Sequence, residues 1–192
     1  YSVFLSYLKE YLLPKNVDSL RQALASPNTS REVKQKIRKL LRLNNFHKRI
    51  TLIAYCLMPN HFHLLIKQKD ENTIDQFMNS LCTRYTMYFN HKYKRVGRLY
   101  QDVYKAVNIE GEGYLLHLSR YIHKQAFVQG DPLNRLNQPS SLKEYLRTKK
   151  TDWVKPDEIL SYFSRSNQTK DYYSFVLQEE TLELLGDLML EE

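Results

Sequence analysis

Two apolar runs separated by Pro59-Asn60 constrain this chain more than any other feature. Residues 50–58 (ITLIAYCLM) are rich in β-branched and apolar side chains and predict a buried strand. Pro59 and Asn60 suit the middle of a tight turn, and His61 to Gln68 predict the returning strand. Alternation along that strand puts His61 and His63 on one side and Phe62, Leu64 and Ile66 on the other, toward a core. Two imidazoles side by side on a strand can grip a divalent ion. Taken alone, such pairs are more often surface or packed histidines.

The rest of the chain reads mostly as helix. Val3, Phe4, Tyr7, Leu8, Tyr11 and Leu12 make one stripe over residues 2–13, and Pro14 stops it. Val17, Leu20 and Leu24 predict a short second helix. Thr29-Ser30-Arg31-Glu32 has the form of a capping box opening a third, to about Leu43. One side of that helix is apolar and the other carries Arg31, Lys34, Lys36, Arg38, Lys39 and Arg42. A solvated face is its ordinary explanation.

Asn72 predicts the cap of a fourth helix, with Ile74, Phe77, Met78, Leu81 and Tyr85 inward. It ends in a basic cluster, His91 to Arg98, that interleaves an aromatic ring. Leu99 to Ile109 predicts a third strand, Glu110 to Gly113 a turn, and Tyr114 to about Val128 a helix. Beyond the polar boundary at 131–141 come helical pieces at 142–148, 156–164 and two from Lys170 to Leu190. Trp153 is expected to anchor this extension.

The net charge is +8, but seven acids and no cations follow Lys170, so the first 170 residues carry 29 − 14 = +15. That surplus favours a polyanionic partner. The acidic tail reads as a solvated helix rather than a DNA mimic. Cys56 and Cys82 form no C-x-x-C pair, which argues against a cysteine zinc site or a disulfide framework and for a reducing cytoplasm. No membrane span, signal peptide or small-molecule site is legible.

Tyr121 and Gln125 stand four residues apart, so one helix face presents a phenol and an amide oxygen. Should that face meet the His-x-His strand, the set is a metal site with a nucleophile beside it. With fifteen tyrosines in the chain, Tyr121 alone carries little weight.

MPNHFHLL, then a basic helix, GRLYQDVYKAV and RYIHKQ, resembles the single-tyrosine HUH transposases, in particular the REP-associated tyrosine transposases and the IS200-like group. The likeness runs through most of the chain, including Ser140-Ser141 and Trp153. It implies an α+β fold with a ferredoxin-like antiparallel sheet, helices on one face and a helical C-terminal extension. The family's first strand is expected to be missing, because the sequence opens inside the first helix. The implied organisation is a catalytic domain over 1–133, with a helical insertion at 14–47, and an extension with an acidic tail over 134–192.

By the same resemblance Tyr121 is the nucleophile, and His61, His63 and Gln125 ligate a divalent metal, Mg²⁺ or Mn²⁺. Many REP-associated relatives have Asn-Pro where this chain has Gln125-Ala126. The implied reaction is cleavage and joining of single-stranded DNA beside a hairpin through a 5′-phosphotyrosine. Arg84, Lys92, Lys94, Arg95, Arg98, Lys105, Arg120 and Lys124 are the expected phosphate contacts. His117 could support the site or take a proton, and His123 could be structural or touch DNA. Monomer and homodimer both stay open. The alternative is a catalytically inactive single-stranded nucleic-acid-binding protein of the same fold.

Overall fold

The computed structural model describes residues 1–127 and 136–178. Residues 179–192, with the second of the two helices expected between Lys170 and Leu190 and all of the acidic tail but Asp171, and residues 131–135 of the expected boundary lie outside them. The architecture is α+β: a two-stranded antiparallel sheet and, among the described residues, eight helices. They are α1 (Ser2–Leu12), α2 (Val17–Ala25), α3 (Arg31–Arg42), β1 (Ile50–Leu57), β2 (Phe62–Gln68), α4 (Thr73–Tyr93), α5 (Glu112–Lys124), α6 (Leu142–Tyr145), α7 (Asp157–Leu160) and α8 (Gln168–Leu177).

The chain divides into two compact units. One comprises Ser2–Ile50 and Gln68–Val96. Its core is aromatic: Tyr11 of α1, Phe46 and Phe77 of α4 meet edge to face, with Phe46 and Phe77 centroids 5.3 Å apart. The Tyr11 hydroxyl donates to the Ser80 carbonyl at 3.1 Å. Asn72 holds the N-cap position of α4, but in the left-handed conformation (φ 59°) and with no side-chain capping bond. Gln68 Oε1 instead accepts from the Ile74 amide at 3.0 Å. The cap of α3 is also displaced by one residue: Ser30 Oγ accepts from Val33 N, and Thr29 Oγ1 donates to the Ala23 carbonyl.

The other unit comprises Tyr1, Thr51–Lys67 and the described part of Gly97–Glu192. Met58 N donates to His61 O at 2.9 Å and closes the β1–β2 hairpin across Pro59-Asn60. The core joins Ile53, Ala54 and Cys56 of β1 and Leu65 of β2 to Ile122 and Ala126. Leu142, Tyr145, Ile159, Leu160, Tyr172 and Val176 complete it. Leu65 shares the parity of His61 and His63. Leu65 is the one fully buried residue of β2; on its side His63 is half-buried and His61 and Lys67 are exposed, while Phe62, Leu64 and Ile66 on the other side are all half-buried. Cover was expected on the Phe62, Leu64 and Ile66 side; the structure adds cover on the histidine side, where Leu65 shares a core with Ile122 of α5 and His63 meets Tyr121.

Residues 99–109 are irregular and form no third strand, and Val103 there is 81% exposed. A strand-like sequence becomes a strand only when a neighbour accepts its backbone hydrogen bonds. On β1, 139–141 and 154–155 supply such bonds: Ser141 N to Tyr55 O at 3.0 Å, Leu57 N to Pro139 O at 2.9 Å and Lys155 N to Leu52 O at 2.9 Å. Trp153 stacks on Tyr55 with centroids 5.5 Å apart and planes at 20°.

Candidate active site

The hairpin turn and the start of β2 set out the two imidazoles. His61 Nε2 and His63 Nε2 lie 3.1 Å apart. His61 Nδ1 meets Asn60 Oδ1 at 2.8 Å. An amide oxygen only accepts, so Nδ1 carries a proton, and in the neutral ring that leaves the lone pair on Nε2, the atom turned toward His63. Asn60 thus sets the tautomer that a metal ligand needs.

Helix α5 brings the phenol. Gly111, at φ 94°, holds its N-cap in a conformation that a side chain would strain. From there α5 runs against the core through Ile122, and the Tyr121 ring comes to rest edge-on to His63, with centroids 5.6 Å apart and planes at 84°. Gln125 is the C-cap, one turn on, its amide bonded to Tyr121 O at 3.3 Å.

A metal suits this donor set. Two nitrogens bound to one ion at ~2.1 Å lie about 3.0 Å apart at a right angle and about 3.4 Å apart at the tetrahedral angle. The observed 3.1 Å falls inside that range. Among the described residues no three His, Cys, Asp or Glu side chains gather. The pair of neutral imidazoles would leave an ion's charge uncompensated, which favours an anionic ligand such as a phosphate.

Behind Tyr121 a buried polar chain fixes α5. His123 is fully buried, with Nδ1 2.6 Å from Tyr172 Oη and Nε2 2.8 Å from Ser141 Oγ. Tyr55 N donates to Ser141 Oγ at 2.8 Å, Tyr172 Oη donates to Ser119 Oγ at 3.2 Å, and Ser119 Oγ donates to Leu116 O at 2.7 Å. One proton per link satisfies this set when Ser141 donates to Nε2 and Nδ1–H donates to Tyr172. Burial pushes the His123 pKa down to about 3, so the ring is neutral. His123 is structural.

The expected phosphate contacts divide. Lys92, Lys94, Arg95, Arg98 and Lys105 are exposed and Lys124 is half-buried. Lys92 lies 5.3 Å from the Tyr93 ring centroid and Arg95 5.6 Å from that of Phe89. Arg84 is engaged within its own unit, 3.7 Å above the Tyr7 ring and 2.6 Å from Glu10. Arg120 is 4% exposed, lies 4.8 Å over Phe175 and donates to His117 Nδ1 at 3.0 Å. In this conformation it packs α5 on α8 and offers no surface to a phosphate.

Sequence reasoning missed Asn60 as the partner of His61, although it sits in the motif. It also missed Tyr172 and Ser119, for which no local signal exists.

What the fold and site define is a paired-histidine and tyrosine centre on an α+β framework. A family model described as "Transposase IS200 like" matches residues 25–125, 101 of the 192 residues, and the chain belongs to that family. No curated protein and no solved structure matches. Membership makes DNA the partner class. No helix among the described residues is long and apolar enough to cross a membrane.

Proposed function

We propose that this protein cuts and rejoins single-stranded DNA beside a hairpin through a covalent bond to Tyr121. The observation that carries this reading is the approach of the Tyr121 ring to His63, 5.6 Å between centroids, beside the His61–His63 pair. His61, His63 and Gln125 would hold Mg²⁺ or Mn²⁺, which when bound polarises a scissile phosphate. Tyr121 Oη attacks phosphorus and gives up its proton to water. The P–O3′ bond breaks, and the 3′-oxygen leaves as a hydroxyl after taking a proton. The 5′-phosphotyrosine keeps the diester energy, so a 3′-hydroxyl can reverse the step and join a strand without ATP. Core packing and the His123 chain hold the phenol in place, and this preorganisation lowers the entropic cost of attack.

Arg98, Lys105 and Lys124 are the phosphate contacts of the unit that carries the site. Lys92 and Arg95, lying near aromatic rings, suit unpaired bases with their phosphates.

The test incubates the protein with labelled hairpin-bearing single strands and Mg²⁺ or Mn²⁺, followed by a denaturing gel. A covalent adduct is expected, and it should be absent in Tyr121→Phe and in His61→Ala. Cleavage that persists in Tyr121→Phe assigns the chemistry to water and overturns the proposal. Tight DNA binding with no cleavage under any metal does the same.

A further inference from the structure

The α2–α3 hairpin has a built form and little part in the core. Asn16 caps α2, Ser30 caps α3, and Lys15 Nζ bonds the Leu43 carbonyl across the base of the pair. Yet α2 buries no residue fully, and α3 buries only Ile37.

Helix α3 carries six cations and one acid, a net 6 − 1 = +5 over twelve residues. All but Lys34 are exposed. Among the described residues none of the six side chains forms an ion pair or hydrogen bond, whereas Arg49, Arg84 and Arg147 all do. At 100° per residue, Arg31, Arg38 and Arg42 fall within about 40° of one another, with Lys34 and Lys39 on either side. The row faces away from Ile37 and is about 16 Å long.

A solvated face explains this poorly. Lys34–Arg38 and Arg38–Arg42 are like-charge pairs at i, i+4, which repel. The helix dipole favours Lys39 and Arg42 in the last turn but disfavours Arg31 in the first. An anionic partner relieves both.

We propose that α3 docks along a DNA duplex, with the Arg31, Arg38 and Arg42 row on its phosphates, and so holds the base-paired stem of the substrate. Three features choose this partner. Neither α2 nor α3 contains Phe, Tyr or Trp, so the surface offers nothing for an unpaired base to stack on. Ile37 is buried, Leu40 and Leu41 are half-buried and Val33 alone on that side is exposed, so no continuous apolar stripe remains to enter a membrane. A helix about 10–12 Å across also matches the ~12 Å major groove. The stem assignment rests on the proposed hairpin substrate; the duplex preference rests on charge and shape alone.

The test is equilibrium binding in EDTA, where no cleavage occurs, of the full chain and of the Arg31→Gln/Arg38→Gln/Arg42→Gln variant. The probes are a hairpin oligonucleotide, a stemless single strand, and phosphatidylserine/phosphatidylcholine vesicles, each measured from 50 to 300 mM salt. The variant should lose about 100-fold in hairpin affinity at 100 mM salt, and its log–log salt slope should fall by about 2.7, or ~0.9 per contact. Stemless binding should change less than about 2-fold. An unchanged hairpin slope overturns the proposal, as does an equal loss on both oligonucleotides. A loss confined to vesicles overturns it in favour of a membrane. Circular dichroism and the unfolding midpoint confirm that the variant is folded. Adduct formation by the unaltered chain on the hairpin strand with Mg²⁺ or Mn²⁺ reads the catalytic proposal separately.

Discussion

Acidification from pH 7 to pH 5 puts a measurable load on the buried chain around His123. In the folded protein the ring is neutral, its pKa pushed to about 3 by burial between Tyr172 and Ser141. In the unfolded chain it titrates near 6.5. A base with a depressed folded pKa contributes its full stability above the unfolded value and loses it as pH falls toward the folded one. At pH 5 the unfolded state gains RT ln(1 + 10^1.5), about 2 kcal/mol. That figure requires only that the native ring stay neutral at pH 5. Continued to pH 3, the loss reaches about 4 kcal/mol. Because the chain holds five other histidines, the quantity to measure is a difference. Urea unfolding of wild type and His123→Gln at pH 7 and pH 5 isolates it. Gln keeps a donor and an acceptor but has no proton to gain. The stability advantage of wild type over the variant should shrink by about 2 kcal/mol between the two pH values. An advantage that stays constant would mean that native His123 is already protonated or solvated, and the tautomer assignment through Ser141 and Tyr172 would fall with it.

Two further outcomes follow from single contacts. Asn60→Ala frees the His61 tautomer and should weaken Mn²⁺ binding about 10- to 100-fold without changing the unfolding midpoint, since Asn60 is exposed; calorimetric titration giving an unaltered affinity would remove Asn60 from the site. Trp153→Ala removes the ring stacked on Tyr55 and should cost about 3–5 kcal/mol in urea unfolding; a cost below about 1 kcal/mol would show that the stack adds little.

Periodicity made the local elements legible. The α1 stripe delivers Phe4, Leu8, Tyr11 and Leu12 to a core, and Pro59-Asn60 turns the hairpin as its residue types suggest. What failed was non-local. A strand at 99–109 was written in β-branched and aromatic residues, but the structure gives it no ladder. The His61–His63 face was assigned by alternation alone, which says which side chains share a side and not which side is covered. Leu65, buried in the core with Ile122, shows that the histidine side is covered as well. At the site, the spacing of His61, His63 and Tyr121 was readable, and α5 does lay the phenol ring beside His63. The His123 chain was not readable, because its partners Tyr172 and Ser141 lie 49 and 18 residues away.

The packing of α5 has a consequence for how the protein can be divided. All four side chains proposed to do the chemistry occur by residue 125, yet the helix that bears Tyr121 packs, through Ile122, in a core with Leu142, Tyr145, Ile159, Tyr172 and Val176. A fragment ending before residue 140 would keep every reactive atom and forfeit the anvil on which the tyrosine rests. What looks in sequence like a detachable tail is, for the nucleophile, the wall it stands against.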